Sequence, residues 1–140
     1  MRMLFVCLML ICNLLAIEWS GKVNWAMGYE VAQNIAASEN KLIMVDIALT
    51  NCPPCKYMAT KVYTDEEVSK YINKNFVPVF YLADQDTLPT IVQNYFTGST
   101  PTILFLNSRG KLVSYIIGMR PPKVFLQTLQ NINDKYKGKK

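Results

Sequence analysis

Residues 49–58 read "LTNCPPCKYM", with Cys52 and Cys55 bracketing Pro53 and Pro54. Just upstream, "KLIMVDIAL" (41–49) is a compact apolar, partly β-branched run with the length of a buried strand. Downstream, "CPPCKYMATKVY" (52–63) places its prolines in what would be the first turn of a helix. Proline is tolerated there because the first N–H groups of a helix have no intrahelical acceptor to lose. The two cysteines therefore open a helix where a strand ends.

Outward from that junction, the chain of 140 residues is 51% hydrophobic, enough for one ordinary core and little more. It opens with "MRMLFVCLMLICNLLAIEWSGK": a cation at Arg2, an apolar run over 3–17 broken only by Asn13, then polar residues. That profile predicts a secretory signal peptide over 1–16, with an uncleaved membrane anchor as the lesser alternative. Ala16 is a small residue at the expected cleavage point, although Leu14 occupies a position where a small residue is usual. Removal of the segment would take Cys7 and Cys12 with it and leave Cys52 and Cys55 as a single pair in an oxidising compartment, where disulfides persist. Residues 17–140 then form one domain with a short N-terminal extension, in which Trp19 and Trp25 are expected to pack, and a basic tail.

The net charge of +5 is concentrated in that tail, where "DKYKGKK" holds Lys135, Lys137, Lys139 and Lys140. Without the tail and Arg2, ten cations face nine acids, so the charge reads as a solvated, frayed terminus rather than a nucleic-acid surface.

"YEVAQNIAASENK" (29–41) predicts a helix with Val31, Ile35 and Ala36 on its apolar face. Thr64 with Glu67 forms a capping-box pattern for another helix, with Val68, Tyr71 and Ile72 as its stripe. "FVPVFYLA" (76–83) reads as a strand that carries a proline, and "TLPTIVQNYF" (87–96) as a short helix. Residues 102–106 and 111–117 read as strands joined by a turn at 107–110. "RPPKVFLQTLQNIN" closes the chain as a helix with Val124, Leu126, Leu129 and Ile132 as core candidates. Strands separated by helices imply parallel pairing with right-handed crossovers, and the final hairpin adds an antiparallel pair. The fold class is α/β: a mixed central sheet with helices on both faces.

A cysteine at a helix N-terminus meets unpaired N–H groups and the positive end of the helix dipole, both of which favour thiolate. Cys52 is thus placed as the nucleophile. Cys55, one turn on, is placed to attack any mixed disulfide that Cys52 forms, and Pro53 and Pro54 stiffen the turn that presents one thiol outward and the other inward. With two N–H groups removed by proline, those of Cys55 and Lys56 remain as donors to the Cys52 sulfur. No histidine is present to add to them.

Three other uses of the pair stand beside exchange. A purely structural disulfide closing so small a loop would remove little chain entropy. A zinc site needs four ligands, and the chain has neither histidine nor a second cysteine pair after export. A two-thiolate Cu(I) site suits the soft sulfurs and the strand–helix junction, as in copper-delivery proteins.

"STPT" (99–102) adds a second signal: Pro101 stands just before an apolar strand, and X-Pro is the bond type that readily adopts cis. The order of elements, the CPPC motif at the first strand-to-helix junction, and this proline together resemble the thioredoxin superfamily over residues 29–132. The resemblance implies a cis Pro101 facing the cysteines, with the Thr100 backbone contacting the substrate chain. It also implies a buried acid six residues before the first cysteine, which is Asp46, and a basic residue after the second, which is Lys56. Asn51 departs from the family, which usually carries tryptophan just before the first cysteine.

The chain looks most like small periplasmic thioredoxin-like proteins and like the C-terminal thioredoxin-like domain of inner-membrane electron-transfer proteins. The function implied is periplasmic or secreted thiol:disulfide oxidoreductase, in the reducing direction, with oxidase or isomerase as the alternative. Its partners would be protein disulfides and a membrane electron donor, with no nucleic acid. The chain is expected to act as a monomer with no metal and no cofactor beyond the Cys52–Cys55 pair.

Overall fold

The computed structural model describes residues 21–139. The expected signal segment and Trp19 lie outside the described residues. Strand β1 (Leu42–Ala48) follows helix α1 (Tyr29–Glu39), which ends at Asn40 in the left-handed conformation (φ 55°, ψ 50°) that asparagine tolerates better than most residues. Helix α2 (Pro53–Tyr57) runs into a π-helical turn (Met58–Val62), then come α3 (Glu66–Asn75), β2 (Phe76–Leu82), the short α4 (Thr90–Gln93), β3 (Thr102–Leu106), β4 (Leu112–Ile117) and α5 (Pro122–Lys137).

The sheet order is β2-β1-β3-β4. β1 pairs parallel with β2 and antiparallel with β3, and β3 pairs antiparallel with β4. All seven residues of β1 are buried, as suits a central strand covered on both faces. Leu42 and Met44 face a core formed with Met58, Val62, Tyr63, Val68, Ile72, Phe125 and Leu129. Ile43, Val45 and Ile47 face the opposite core, with Tyr29, Ala32, Ala36 and Val92. Helices therefore cover both faces, as expected. Pro78 lies in β2, an edge strand, where a missing N–H is tolerated. Among the described residues no helix is long and apolar enough to cross a membrane.

Four local expectations are corrected. The buried face of α1 is Tyr29, Ala32 and Ala36, while Val31 and Ile35 stand 45% and 36% exposed. Small alanines let the helix approach the sheet closely, and that packing outweighs the greater hydrophobicity of the two β-branched residues. In α5 the buried stripe is Phe125, Leu129 and Ile132, a true i, i+4, i+7 series, and Val124 is largely exposed. The cap of α3 is Asp65, whose carboxylate accepts the Val68 N–H at 3.0 Å, whereas Thr64 donates its hydroxyl to the Thr60 carbonyl. Finally, α5 continues through most of the basic tail to Lys137, with Tyr136 packed on the core. Lys135 and Lys137 sit in its last turn, where cations are favoured by the helix dipole.

Candidate active site

Cys52 is the N-cap of α2, in extended conformation (φ −134°, ψ 99°), with Pro53 and Pro54 as the first two helical residues. The strand end before it is held by the Ala83 N–H on the Ala48 carbonyl and by Asp84, which accepts the Thr50 N–H at 3.1 Å. Cys52 and Cys55 form a disulfide with their Cα atoms 5.2 Å apart. Both pack on Ala48, with Leu49, Phe80 and Leu82 around them. Cys52 is 6% exposed and Cys55 2%. Both are thus buried in the disulfide state, so Cys52 is not presented outward as expected. Pro53 and Asn51 are exposed beside it, and Lys56 is half-buried.

The donors to the Cys52 sulfur differ from those expected. The Cys55 N–H reaches Sγ at 3.3 Å, but the Lys56 N–H is committed to the Cys52 carbonyl at 3.0 Å, as an ordinary helical bond. The second donor is the Thr100 hydroxyl, 3.4 Å from Cys52 Sγ. Thr100 thus contributes its side chain as well as its backbone to this region. The Thr100–Pro101 bond is cis, and the loop is fixed on both sides. Gly118 N–H donates to the Pro101 carbonyl at 2.9 Å, and the Thr102 hydroxyl donates to the Ser99 carbonyl at 2.6 Å.

Asp46 is the one charged residue of β1, 2% exposed, on the strand face shared by Ala48 and therefore by the cysteines packed on it. Across the sheet its neighbours are Phe80 and Ile103. Its Oδ2 accepts a hydrogen bond from the Tyr63 hydroxyl, and its Oδ1 has no hydrogen-bond partner among the described residues. Burial pushes the Asp46 carboxyl up to about 7, an effect that the Tyr63 hydroxyl partly offsets. Tyr63 is pushed well above the usual phenol range, first by burial, then by the neighbouring carboxylate and the hydrogen bond that it donates.

Tyr63 is the site residue that sequence reasoning missed. It follows the π-helical turn, whose bond from the Tyr63 N–H to the Met58 carbonyl spans five residues. That extra residue moves Tyr63 off the phase that a regular helix from Cys52 would give it. The ring is held edge-on by Trp25 (centroids 5.1 Å apart, 85°) and by Phe125 (6.1 Å, 75°), which gives the N-terminal extension its packing role. Among the described residues no group of three or more histidine, cysteine or acidic side chains could hold a metal ion. A groove of about 660 Å³ between β4 and the end of α5 contains none of these site residues.

The arrangement provides a helix-capping sulfur with two donors, a second sulfur bonded to it, a cis-proline loop against the first, and a buried acid on the strand face on which both sulfurs rest. Comparison with known proteins agrees. The family model for a thioredoxin-like domain matches residues 29–133. A Pyricularia oryzae protein, Thioredoxin-2, is 33% identical over 98 residues, which are 70% of this chain and 52% of that protein, so the chain spans about half of that relative. The solution structure of a Thermus thermophilus thioredoxin superposes with a TM-score of 0.68 at 27% identity, over 79% of this chain and 87% of that one. The oxidised C-terminal domain of Neisseria meningitidis DsbD gives 0.59 at 19% identity, over 73% and 90%, a likeness of fold.

Proposed function

The chain belongs to the thioredoxin-like family of thiol:disulfide oxidoreductases, and from that premise we propose that it reduces the disulfides of exported proteins in the periplasm. The observation that carries the reading is the Cys52–Cys55 disulfide, seated at a helix N-terminus beside the cis Thr100–Pro101 bond. In the reduced state, the Cys52 thiolate attacks a substrate disulfide, and one substrate sulfur leaves as thiol. Cys55 then gives its proton to Asp46 and attacks Cys52, which re-forms the Cys52–Cys55 bond and releases the second substrate thiol. Two electrons pass from the pair to the substrate. Thr100 and Pro101 contact the substrate chain, and Pro53, Pro54 and Lys56 shape the turn.

The direction of electron flow follows from the donors to Cys52. Among the described residues, the Cys55 N–H and the Thr100 hydroxyl are the donors that reach Cys52 Sγ, two N–H groups having been removed by proline and a third being occupied. A modestly stabilised thiolate favours the oxidised pair, so the couple lies nearer the roughly −270 mV of thioredoxin than the roughly −120 mV of a strong oxidant. The chain then donates electrons and needs a donor to recharge it, for which a membrane electron-transfer protein fits the apolar N-terminal segment and the periplasmic location it implies. It works as a monomer, with no metal, no other cofactor and no nucleic-acid partner.

Equilibration with glutathione of known poise tests the direction. A couple more oxidising than about −180 mV would reverse it and favour an oxidase or isomerase. Stoichiometric Cu(I) binding without reductase turnover would replace exchange by copper delivery.

A further inference from the structure

The carboxyl of Asp46 is held asymmetrically. Tyr63 occupies Oδ2, and Oδ1 is buried with no partner among the described residues, although such an atom ordinarily finds one. The phenol that makes this bond is itself 1% exposed and wedged between Trp25 and Phe125, so its hydroxyl has a fixed aim. We infer that Tyr63 is a positioning residue for the resolving step: by holding Oδ2 it reserves Oδ1 as the oxygen that takes the proton of Cys55. The inference rests on the reading of Asp46 as that proton's acceptor.

The Cys55 S–H bond breaks and an O–H bond forms at Oδ1, directly or through one water. A lone pair of the freed Cys55 thiolate forms the S–S bond to Cys52 while the Cys52–substrate bond breaks, and the substrate sulfur leaves as thiolate with the pair of the broken bond. The proton later passes from Oδ1 to the departing thiolate or to solvent. Oδ2 remains a carbonyl oxygen that accepts from Tyr63 throughout, so the carboxyl need not turn between its two states.

Burial raises the Asp46 carboxyl, and the Tyr63 hydrogen bond opposes it. Phe80 on β2 and Ile103 on β3 carry no charge, Trp25 and Phe125 touch Tyr63 rather than titrate, and the cysteines are the reacting groups. A hydrogen bond donated to the carboxylate favours the ionised acid, which is the form that accepts a proton. Loss of it shifts the working range of the acid upward by about one pH unit.

The test uses the reduced full chain and an aromatic disulfide whose thiolate product is coloured. The first equivalent released reports attack by Cys52, and the second reports resolution by Cys55. Tyr63→Phe should leave the first release unchanged. It should slow the second roughly fivefold at pH 7, move its pH midpoint up by about one unit, and match the unsubstituted chain above about pH 9. In an Asp46→Asn background, Tyr63→Phe should add nothing.

An unchanged midpoint, or further slowing in the Asp46→Asn background, would overturn the inference while leaving the exchange reading intact. Absence of the first release from the unsubstituted chain would overturn the exchange reading and this inference with it. If Tyr63→Phe fails to fold, pH-difference infrared spectra of the unsubstituted chain decide. A carboxyl band that titrates near neutral pH, at a frequency lowered by an accepted hydrogen bond, supports the inference, and a band at the free-acid frequency overturns it.

Discussion

The two faces of β1 are built from alternate residues of one seven-residue strand, yet they do different work. On one face Ile43, Val45 and Ile47 meet Ala32, Ala36 and Val92, with the Tyr29 hydroxyl as a polar atom among them. On the other, Leu42 and Met44 lead to Asp46 and then to Ala48, on which the cysteines rest. The first face is optimised for burial. The second gives up burial free energy to keep an ionisable acid two residues before Ala48, on the face that carries the sulfurs. Strand alternation is what allows both within seven residues, because each face is reached by every second side chain.

The largest effect that separates the faces is kinetic. Asp46→Asn should slow release of the mixed disulfide by about 10²- to 10⁴-fold, the usual contribution of a positioned proton acceptor, with much less effect on the initial attack by Cys52. Rapid-mixing measurement of the two steps checks this, and equal rates in both chains would reduce Asp46 to a structural acid.

The next effect is on stability, and its sign is unusual for an acid. The folded carboxyl sits at about 7, above its ordinary value of 3.8. Between about pH 4 and pH 7 the folded chain therefore keeps a proton that the unfolded chain has lost. Stability falls as pH rises through that window and levels off above it. At about 1.36 kcal/mol per unit the whole shift is worth at most roughly 4 kcal/mol. Asp46→Asn should remove this slope, leaving the variant more stable than the parent at pH 8 and nearly equal to it at pH 4. Denaturant titrations at the two pH values measure it, and parallel curves would mean that the buried acid is not protonated near neutrality.

On the apolar face, Ile43→Ala should cost roughly 2–5 kcal/mol of stability, because it empties a fully buried site, with exchange rates unchanged where the chain is folded. Val31→Ser on the exposed flank of α1 should stay within about 0.5 kcal/mol. Equal losses at these two positions would contradict the packing of α1 through its alanines.

The sequence carried the frame of this site because its signals are local. "LIMVDIA" is continuous and apolar since it is covered on both faces, and CPPC fixes a helix start by chemistry that needs no distant partner. Pro101 was legible for the same reason, and its bond to Thr100 is cis. What was not legible depends on packing. The face of α1 was misjudged because alanine scores low on hydrophobicity yet wins by close approach. The phase of α5 slipped by one at its start, where two prolines blur the periodicity. Tyr63 was hidden by the π-helical turn, and the Thr100 hydroxyl by a fold that brings residues 48 positions apart to one sulfur.

The central claim, that Cys52 attacks and Cys55 resolves, is tested most directly by trapping. Single Cys52→Ser and Cys55→Ser chains are each incubated with disulfide-bonded protein substrates, quenched with acid, and resolved without reductant. The account predicts that Cys55→Ser accumulates mixed disulfides through Cys52, whereas Cys52→Ser forms few or none because Cys55 lacks the helix-capping position that favours thiolate. Equal trapping by both variants, or trapping by Cys52→Ser alone, would contradict it.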